Sequence, residues 1–446
     1  MAVTSATIIK RSLTARMFST VTTIITVAVA VALLLVLLSL GKAGSAAFQR
    51  GTGNMHLLVS RDTSRMVSVL NAIFYAAAPQ RPIEWSKFKE IERTVIRDPR
   101  FRTNEFAIPI QQGDSYRGYA VTATTPEFFQ FFSTDVEFIP EQAGRENADE
   151  TSSAWKFTAG GTMQDLFDVV VGADVAASSG LKPGDEIYMT HGRADSPGAH
   201  VHDEYTWTVR GVLEPTGTAH DRAVFSMLES SWLVHARDFV EQAGGDINAV
   251  DIATLDDEYR KITGVLVRVA TRPGRKTSSA LGQVAYQLSQ DAELVVASPA
   301  DEVQALFRIV SNIDDILIGM AAVVMISSGI AIMLALYNSM EQRRRQIAVL
   351  RVLGASRSRI FMLVLIESIV IGVLGALVGV VLSLIAGEVV AVTLKQRLGV
   401  VVEPGFEPVL TLIIIGGAIA LAALAGVIPA VLAYRTSVAR NLRPIG

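Results

Sequence analysis

Three histidines, His191, His200 and His202, fall in the stretch THGRADSPGAHVHDEYTW with Asp195, Asp203 and Glu204, and His220 and Asp221 follow later. Imidazoles two apart on a strand point to one face, and a third would complete a zinc- or copper-like set. The same composition also makes a solvated hairpin loop, and its polarity favours that reading over a metal. His56 and His235 stand isolated and read as ordinary surface or core residues. With no cysteine there is no disulfide framework, thiolate metal site or thiol nucleophile. Gly274-Arg275-Lys276-Thr277 lacks the upstream glycine of a phosphate cradle, and neither G-x-S-x-G nor H-E-x-x-H occurs. The chain therefore reads as non-catalytic by itself.

A second constellation is cationic. From Asn338 to Ile360 the chain runs NSMEQRRRQIAVLRVLGASRSRI, setting Arg343, Arg344, Arg345, Arg351, Arg357 and Arg359 against Glu341 alone. Apolar stretches long enough to cross a hydrocarbon core flank it, and short positive loops are the ones retained on the cytoplasmic face. Glu341–Leu353 is a good helix former, Gly354 suits the left-handed C′ position, and Ser356 suits an N-cap. The expectation is a rigid elbow at the membrane surface. A merely solvated basic loop would not explain the apolar IAVL-RVL run, whose Ile347 and Leu350 read as knobs for a partner.

These constellations hang on a membrane frame. The chain has 446 residues, 50% hydrophobic and 19% charged, with a net charge of −3. The basic residues sit beside apolar runs, so no nucleic-acid partner is implied. The predicted order is a cytoplasmic surface helix 1–16, a first span 17–40, an extracytoplasmic domain 41–315, a second span 316–337, the basic loop 338–359, a third span 360–387, a short external loop 388–408, a fourth span 409–434 and a tail 435–446. Met17 to Leu40 is uncharged and far longer than the roughly 7–15 residues of a signal-peptide core, so it reads as an uncleaved anchor. In the surface helix, Ile8, Ile9 and Leu13 would face lipid while Lys10, Arg11 and Arg16 meet headgroups. That segment, the basic loop and the tail with Arg435, Arg440 and Arg443 share one charge sign, which puts both termini in the cytoplasm. In the external loop Lys395 and Arg397 are balanced by Glu403 and Glu407.

Small residues recur every fourth position at Gly375, Gly379, Ser383 and Gly387, and again at Ala418, Ala422, Gly426 and Ala430. Such stripes let helix backbones approach closely where lipid offers no hydrophobic drive. Glu367 lies in the third span, about 10 Å in from Ile360 at 1.5 Å per residue. An acid near the interface fits a helix–helix or headgroup contact better than a proton relay.

The extracytoplasmic block reads as mixed α/β. Met55–Ser60, Phe106–Ile110, Gly118–Thr124, Gly264–Val269 and Leu294–Ala297 are strand candidates. Trp85–Ile96 and Lys276–Leu288 are helix candidates, and a helix starting at Pro299 would run on into the membrane. A strand-rich middle holds Asp168–Val171, Glu186–Thr190 and Tyr205–Leu213. It reads as an inserted β-rich subdomain, 135–256, within a porter-like unit of 41–134 and 257–315. The charged run Glu141–Glu150 reads as a mobile loop.

EQRRRQIAVLRVLGASRSRIFMLVLIES, from Glu341 to Ser368, resembles the ERRRxIAVLRALGASRxxI signature of the MacB/LolC/FtsX-type ABC transporter permeases. VVGADVAASSGLKPGDEIYM, WTVRGVLEPTGTAHDRAVF and the ending PAVLAYRTSVARNLRP are similar to further segments of that family. The resemblance implies an α-helical four-span permease of the bacterial inner membrane. It also implies a periplasmic porter-like α/β domain with a β-rich insert, pairing as a dimer with a second copy or a paralogue. It implies a separate ABC ATPase that binds ATP and Mg, seated against a coupling helix carrying Glu341, Arg343–Arg345, Ile347, Leu350, Arg351, Gly354 and Ser356. This subunit would bind no cofactor. The expected activity is export or extraction of a lipoprotein, a peptide or an amphipathic small molecule, with a periplasmic adaptor or lipoprotein as further partner. Some relatives instead act as regulators that activate an extracytoplasmic partner such as a cell-wall hydrolase.

Overall fold

The computed structural model describes residues 5–79, 81–96, 105–135, 154–192, 199–271, 278–352, 354–398 and 407–435. Glu141–Glu150, the Lys276 end of the predicted helix and the basic tail beyond Arg435 lie outside them. The chain forms two compact units: Met1–Gly44 with Arg308–Thr393 and Val402–Gly446, and Ser45–Phe307 with Leu394–Val401.

The first unit is helical. Among the described residues four helical segments are long and apolar enough to cross a membrane: Met17–Thr52, Asp315–Gln342, Arg357–Leu394 and Pro408–Arg435. The expected spans are therefore present, with longer helices around them. The second belongs to one helix from Pro299 to Val352, and the basic loop is largely its end. The third continues to Leu398, because EVVAVTLKQRL offers no glycine or proline to stop it before Gly399. Much of the predicted external loop is thus helix. Val27, Val31, Leu35, Ile332, Leu336, Ile371, Ala376, Ile414, Ala418 and Ala422 meet as a common core.

The small-residue stripes set the spacing of that bundle. A Cβ on Gly375 would lie 2.6 Å from the Cβ of Val27, and one on Gly379 would lie 2.7 Å from that of Val31. A side chain on Gly426 would run into Ser368 of the third span, and Ala418 and Ala422 are buried. Ser383 bonds the carbonyl of Val380 and, with Gly387, lines a small cavity beside Leu35 and Ser39. Gly375, Gly379, Ala418, Ala422, Gly426 and Ala430 are thus spent on contacts within the chain.

The N-terminal helix, Ser5–Thr14, departs from the expected lipid-facing arrangement. Ser12 is buried and Leu13 packs on the bundle core, so Leu13 faces protein rather than lipid.

The second unit is built on one large sheet. Its strands are β1 (Leu57–Ser60), β2 (Ile83–Glu84), β3 (Phe106–Tyr116), β4 (Tyr119–Thr124), β5 (Phe157–Gly160), β6 (Asp168–Val171), β7 (Glu186–Ile187), β8 (Thr190–His191), β9 (His200–Val201), β10 (Trp207–Leu213), β11 (Ala223–Met227), β12 (Lys261–Ile262), β13 (Gly264–Arg268) and β14 (Val295–Ala297). The main order is β14-β1-β13-β3-β4-β11-β6-β10-β5, with β7 on β10, β8 on β3 and β9 on β8; β2 and β12 pair separately. The parallel β4–β11 pairing joins strands on either side of the predicted subdomain boundary, so insert and porter-like unit share a sheet.

Alternation along the strands separates two apolar layers. Leu58, Phe106, Ile108, Ile110, Phe128, Trp155 and Phe225 fill one. Leu57, Val59, Ala107, Val265, Val267 and Trp232 fill the other, with Phe88, Ile91 and Val95 of helix Trp85–Val95 packed there as their spacing predicts. Helices Arg65–Phe74, Ala173–Ser179 and Leu228–Gln242 had no counterpart in the strand-based expectation.

Candidate functional site

The histidine stretch folds as a short antiparallel hairpin, β8–β9, in which His191 and His200 are cross-strand partners. His202 lies just past β9, tied by its N–H to the carbonyl of Met189 at 2.9 Å. The three predicted rings do converge, with centroids 5.3 Å apart for His191–His200 and 4.9 Å for His200–His202.

Two further elements complete the cluster. β3 pairs with β8, placing Asp114 opposite His191. Asp114 sits where the β3–β4 register shifts between Gln112 and Ser115, and a bulge of this kind re-aims a side chain. Helix Leu228–Gln242 contributes His235 and Asp238, three apart and on one helical face. His235 is thus not the isolated residue its sequence position suggested. Its centroid is 5.2 Å from that of His191.

The contacts centre on two carboxylates. Asp114 Oδ1 lies 3.2 Å from His191 Nδ1 and 3.3 Å from His235 Nε2. Asp238 Oδ2 lies 3.4 Å from His202 Nδ1 and 3.6 Å from His200 Nε2. Burial opposes ionisation of Asp114, but the charge of His235 and hydrogen bonds from His191 and His235 outweigh it and hold the carboxyl below its usual range. Burial depresses His202, whose residue is only 3% exposed. For His235 burial acts in the same sense, yet the neighbouring Asp114 and Asp238 prevail and raise it.

His220 and Asp221 lie elsewhere and do different work. His220 is buried among Phe128, Phe132, Trp155 and Phe225, with Tyr75 Oη 2.6 Å from Nδ1 and the Gly51 carbonyl 3.1 Å from Nε2. Because the carbonyl only accepts, Nε2 carries the proton and the Tyr75 hydroxyl donates to Nδ1. Desolvation lowers His220 to about 4. Asp221 accepts from Thr216 N and Oγ1 and from Gly217 N, which closes the PTGT turn.

At the elbow, helix Pro299–Val352 ends before Gly354, whose φ of +99° and N–H bond to the Arg351 carbonyl (3.2 Å) make the expected left-handed stop. Ser356 Oγ accepts from the N–H of Arg359 at 3.2 Å and caps the next helix, also as expected. Glu341 is exposed and Arg351 half-buried. The side chains of Arg343, Arg344, Arg345 and Leu350 lie outside the described residues. Ile347 is not the predicted knob. It is 6% exposed and packs with Met340, Ile360, Val364, Ala430 and Ala433. The helical turn that buries it presents Val349 and Val352 instead, 43% and 64% exposed.

Glu367 makes the helix–helix contact expected of it. It is buried, accepts from the hydroxyl of Ser12, and lies 3.6 Å from the Arg16 guanidinium, which also reaches the Ala335 carbonyl at 3.3 Å. One acid thereby ties the N-terminal segment to the third span.

Comparison with known proteins agrees with this architecture. Residues 20–285 match the MacB-like periplasmic core domain, and residues 318–438 match the FtsX-like permease C-terminal region. The chain is also similar to the macrolide export ATP-binding/permease protein MacB of Bdellovibrio bacteriovorus, 26% identical over 187 residues, which is 41% of this chain and 26% of that protein. The chain thus matches about a quarter of the length of this curated relative.

Proposed function

The chain belongs to the MacB/FtsX-type ABC transporter permeases, and from that premise we propose that it couples a separate cytosolic ABC ATPase to movement of its periplasmic core domain. It is a multi-pass membrane protein. In this reading it sits in the bacterial inner membrane with both termini and the elbow in the cytoplasm. It works as a dimer with a second copy or paralogue and drives export or extraction of a lipoprotein, peptide or amphipathic small molecule. A periplasmic adaptor or lipoprotein would hand the substrate on or receive it.

The observation that carries the proposal is the elbow. A helix that begins at Pro299 runs unbroken to Val352 and stops at a left-handed glycine, after which a capped helix begins at Arg357. An unbroken helix transmits displacement along its length. A packed joint of Ile347, Ile360 and Val364 transmits a push on the exposed Val349 and Val352 to the second and third spans together. ATP and Mg belong to the partner, because no phosphate-cradling motif occurs in this sequence.

The test is co-expression of the intact permease with its ABC ATPase, followed by purification and identification of stoichiometric extracytoplasmic companions. An ATPase together with an adaptor, lipoprotein or exported substrate supports transport. A cell-wall hydrolase activated by the complex would replace transport with regulation, and a permease that never binds an ATPase would refute coupling.

A further inference from the structure

We propose that Asp114, His191, His202 and His235 form a binding site for a divalent ion of the zinc class, with Asp238 and Gln111 fixing two of its imidazoles. The site is independent of the coupling reading above.

The distances are those of a coordination shell about to close. One donor atom from each of the four residues lies within 4.8 Å of all the others. Zinc bonds of about 2.0–2.1 Å in a tetrahedron imply donor–donor edges of about 3.3 Å. Two edges already have that length: Asp114 Oδ1 to His191 Nδ1 at 3.2 Å and to His235 Nε2 at 3.3 Å. The other four edges, all within 4.8 Å, close by small rotations of the His191, His202 and His235 rings.

Two orphaned atoms point the same way. His202 Nε2 is buried with no hydrogen-bond partner, an expensive condition for a polar atom, while its Nδ1 faces Asp238. A carboxylate on one imidazole nitrogen sets the tautomer that leaves the other nitrogen's lone pair free for a metal. Gln111 Oε1 is also buried without a partner, while Gln111 Nε2 lies 3.1 Å from His235 Nδ1. A half-turn of that amide brings Oε1 to His235 Nδ1–H, pairs the orphan and releases His235 Nε2 as a ligand. Histidine–aspartate ion pairs alone account for Asp114 but leave both atoms unpaired.

The donor set selects the ion. Three imidazoles and one carboxylate suit zinc, whereas magnesium and calcium take oxygen shells. The ion would fasten β3, the β8–β9 hairpin and helix Leu228–Gln242 to one another. His200 falls in a neighbouring group with His202 and Asp238, its Nε2 3.6 Å from Asp238 Oδ2, and is not one of the four donors of this shell.

The experiment uses the purified full-length chain in detergent, stripped with a chelator and dialysed against Zn²⁺ or Mg²⁺. Bound metal per chain, chelator competition and melting temperature are then read. We expect one zinc and no magnesium per chain, a higher melting temperature with zinc, and the intense visible bands of four-coordinate Co²⁺ on substitution. His191→Ala, His202→Ala and His235→Ala should each weaken zinc at least about tenfold, whereas His200→Ala should not. If His202→Ala fails to fold, His191→Ala carries the same readout, since that ring is nearly half-exposed at the end of a two-residue strand. Wild-type chain that retains no zinc and melts unchanged would overturn the proposal. So would zinc affinity equal to that of the wild type in both His191→Ala and His235→Ala.

Discussion

The carboxylate of Glu367 lies 3.6 Å from the guanidinium of Arg16, with Glu367 the more buried of the two. Each partner therefore carries a different cost if left alone. Arg16→Ala strands an acid inside the bundle, whereas after Glu367→Gln the long arginine can still reach water and Ser12 keeps an amide partner. Arg16→Ala should destabilise the detergent-solubilised protein by about 1–3 kcal/mol, and Glu367→Gln by clearly less. Thermal unfolding of the two variants side by side measures the difference. Equal effects would mean that the pair is solvated.

Gly379 of the third span, set against Gly416 of the fourth, predicts the sharpest loss. Gly379→Val brings a side chain onto Val31 Cβ and onto the Ala28 carbonyl, where the inserted Cβ would sit at 2.7 and 2.8 Å. Gly416 and Gly417 have nothing within 4 Å of an added Cβ. Gly379→Val should therefore cost at least about 1–3 kcal/mol through forced backbone displacement, while Gly416→Val should be tolerated. Size-exclusion profiles and melting temperatures of the pair decide it.

The second unit should lose stability in mild acid through His220. Its folded value of about 4 lies below the ordinary 6.5, so the unfolded chain takes up the proton first. The neutral-pH contribution is present above 6.5 and falls away as pH drops toward 4. The full difference is about 3 kcal/mol at 1.36 kcal/mol per unit. Tyr75 Oη and the Gly51 carbonyl face the ring. Burial raises Asp221, which acts in the opposite sense as pH falls through its folded value toward 3.8. His220→Phe isolates the histidine: denaturant midpoints of the variant should decline less than wild type between pH 7 and 4.5. Parallel declines would assign the acid sensitivity elsewhere.

Because the chain has no cysteine, topology is open to single-cysteine labelling. Ala46→Cys, Glu150→Cys and Val400→Cys should react with impermeant maleimide in intact cells, and Ala2→Cys, Gln346→Cys and Ile445→Cys only after permeabilisation. External labelling at position 346 would invert the assignment.

The membrane frame was legible because each span is a long apolar run with charged flanks, and no tertiary information is needed to see that. Gly354 and Ser356 were legible for a similar reason: stop and cap are local chemistry. The direction of Ile347 was not. Which face of a helix is buried depends on where neighbouring helices lie, and here Ile360 and Ala430 take the residue that an isolated elbow would display. Likewise His191, His200 and His202 are close in sequence, but Asp114 and His235 reach them only through the β3–β8 pairing and the helix after β11. The amphipathic run from Leu228, with Trp232 and Ala236 buried, was the one signal that could have placed His235 on an inward-facing helix.

The central claim is that energy enters through the exposed face of the elbow, and Val352→Asp tests it most directly. The substitution puts a charge on a surface residue 64% exposed in the free chain, so folding should be unaffected, while docking of an ATPase over that face would bury the charge unpaired. Ile347→Asp is the contrasting variant and should fail to fold, since that residue packs inside the joint. The measurement is the ATP hydrolysis rate of the complex reconstituted in lipid, alongside recovery of the ATPase on the tagged permease. The account predicts that Val352→Asp inserts and melts like wild type but loses both ATPase recovery and permease-dependent hydrolysis. Wild-type recovery and full hydrolysis in Val352→Asp would show that this elbow does not couple the two subunits.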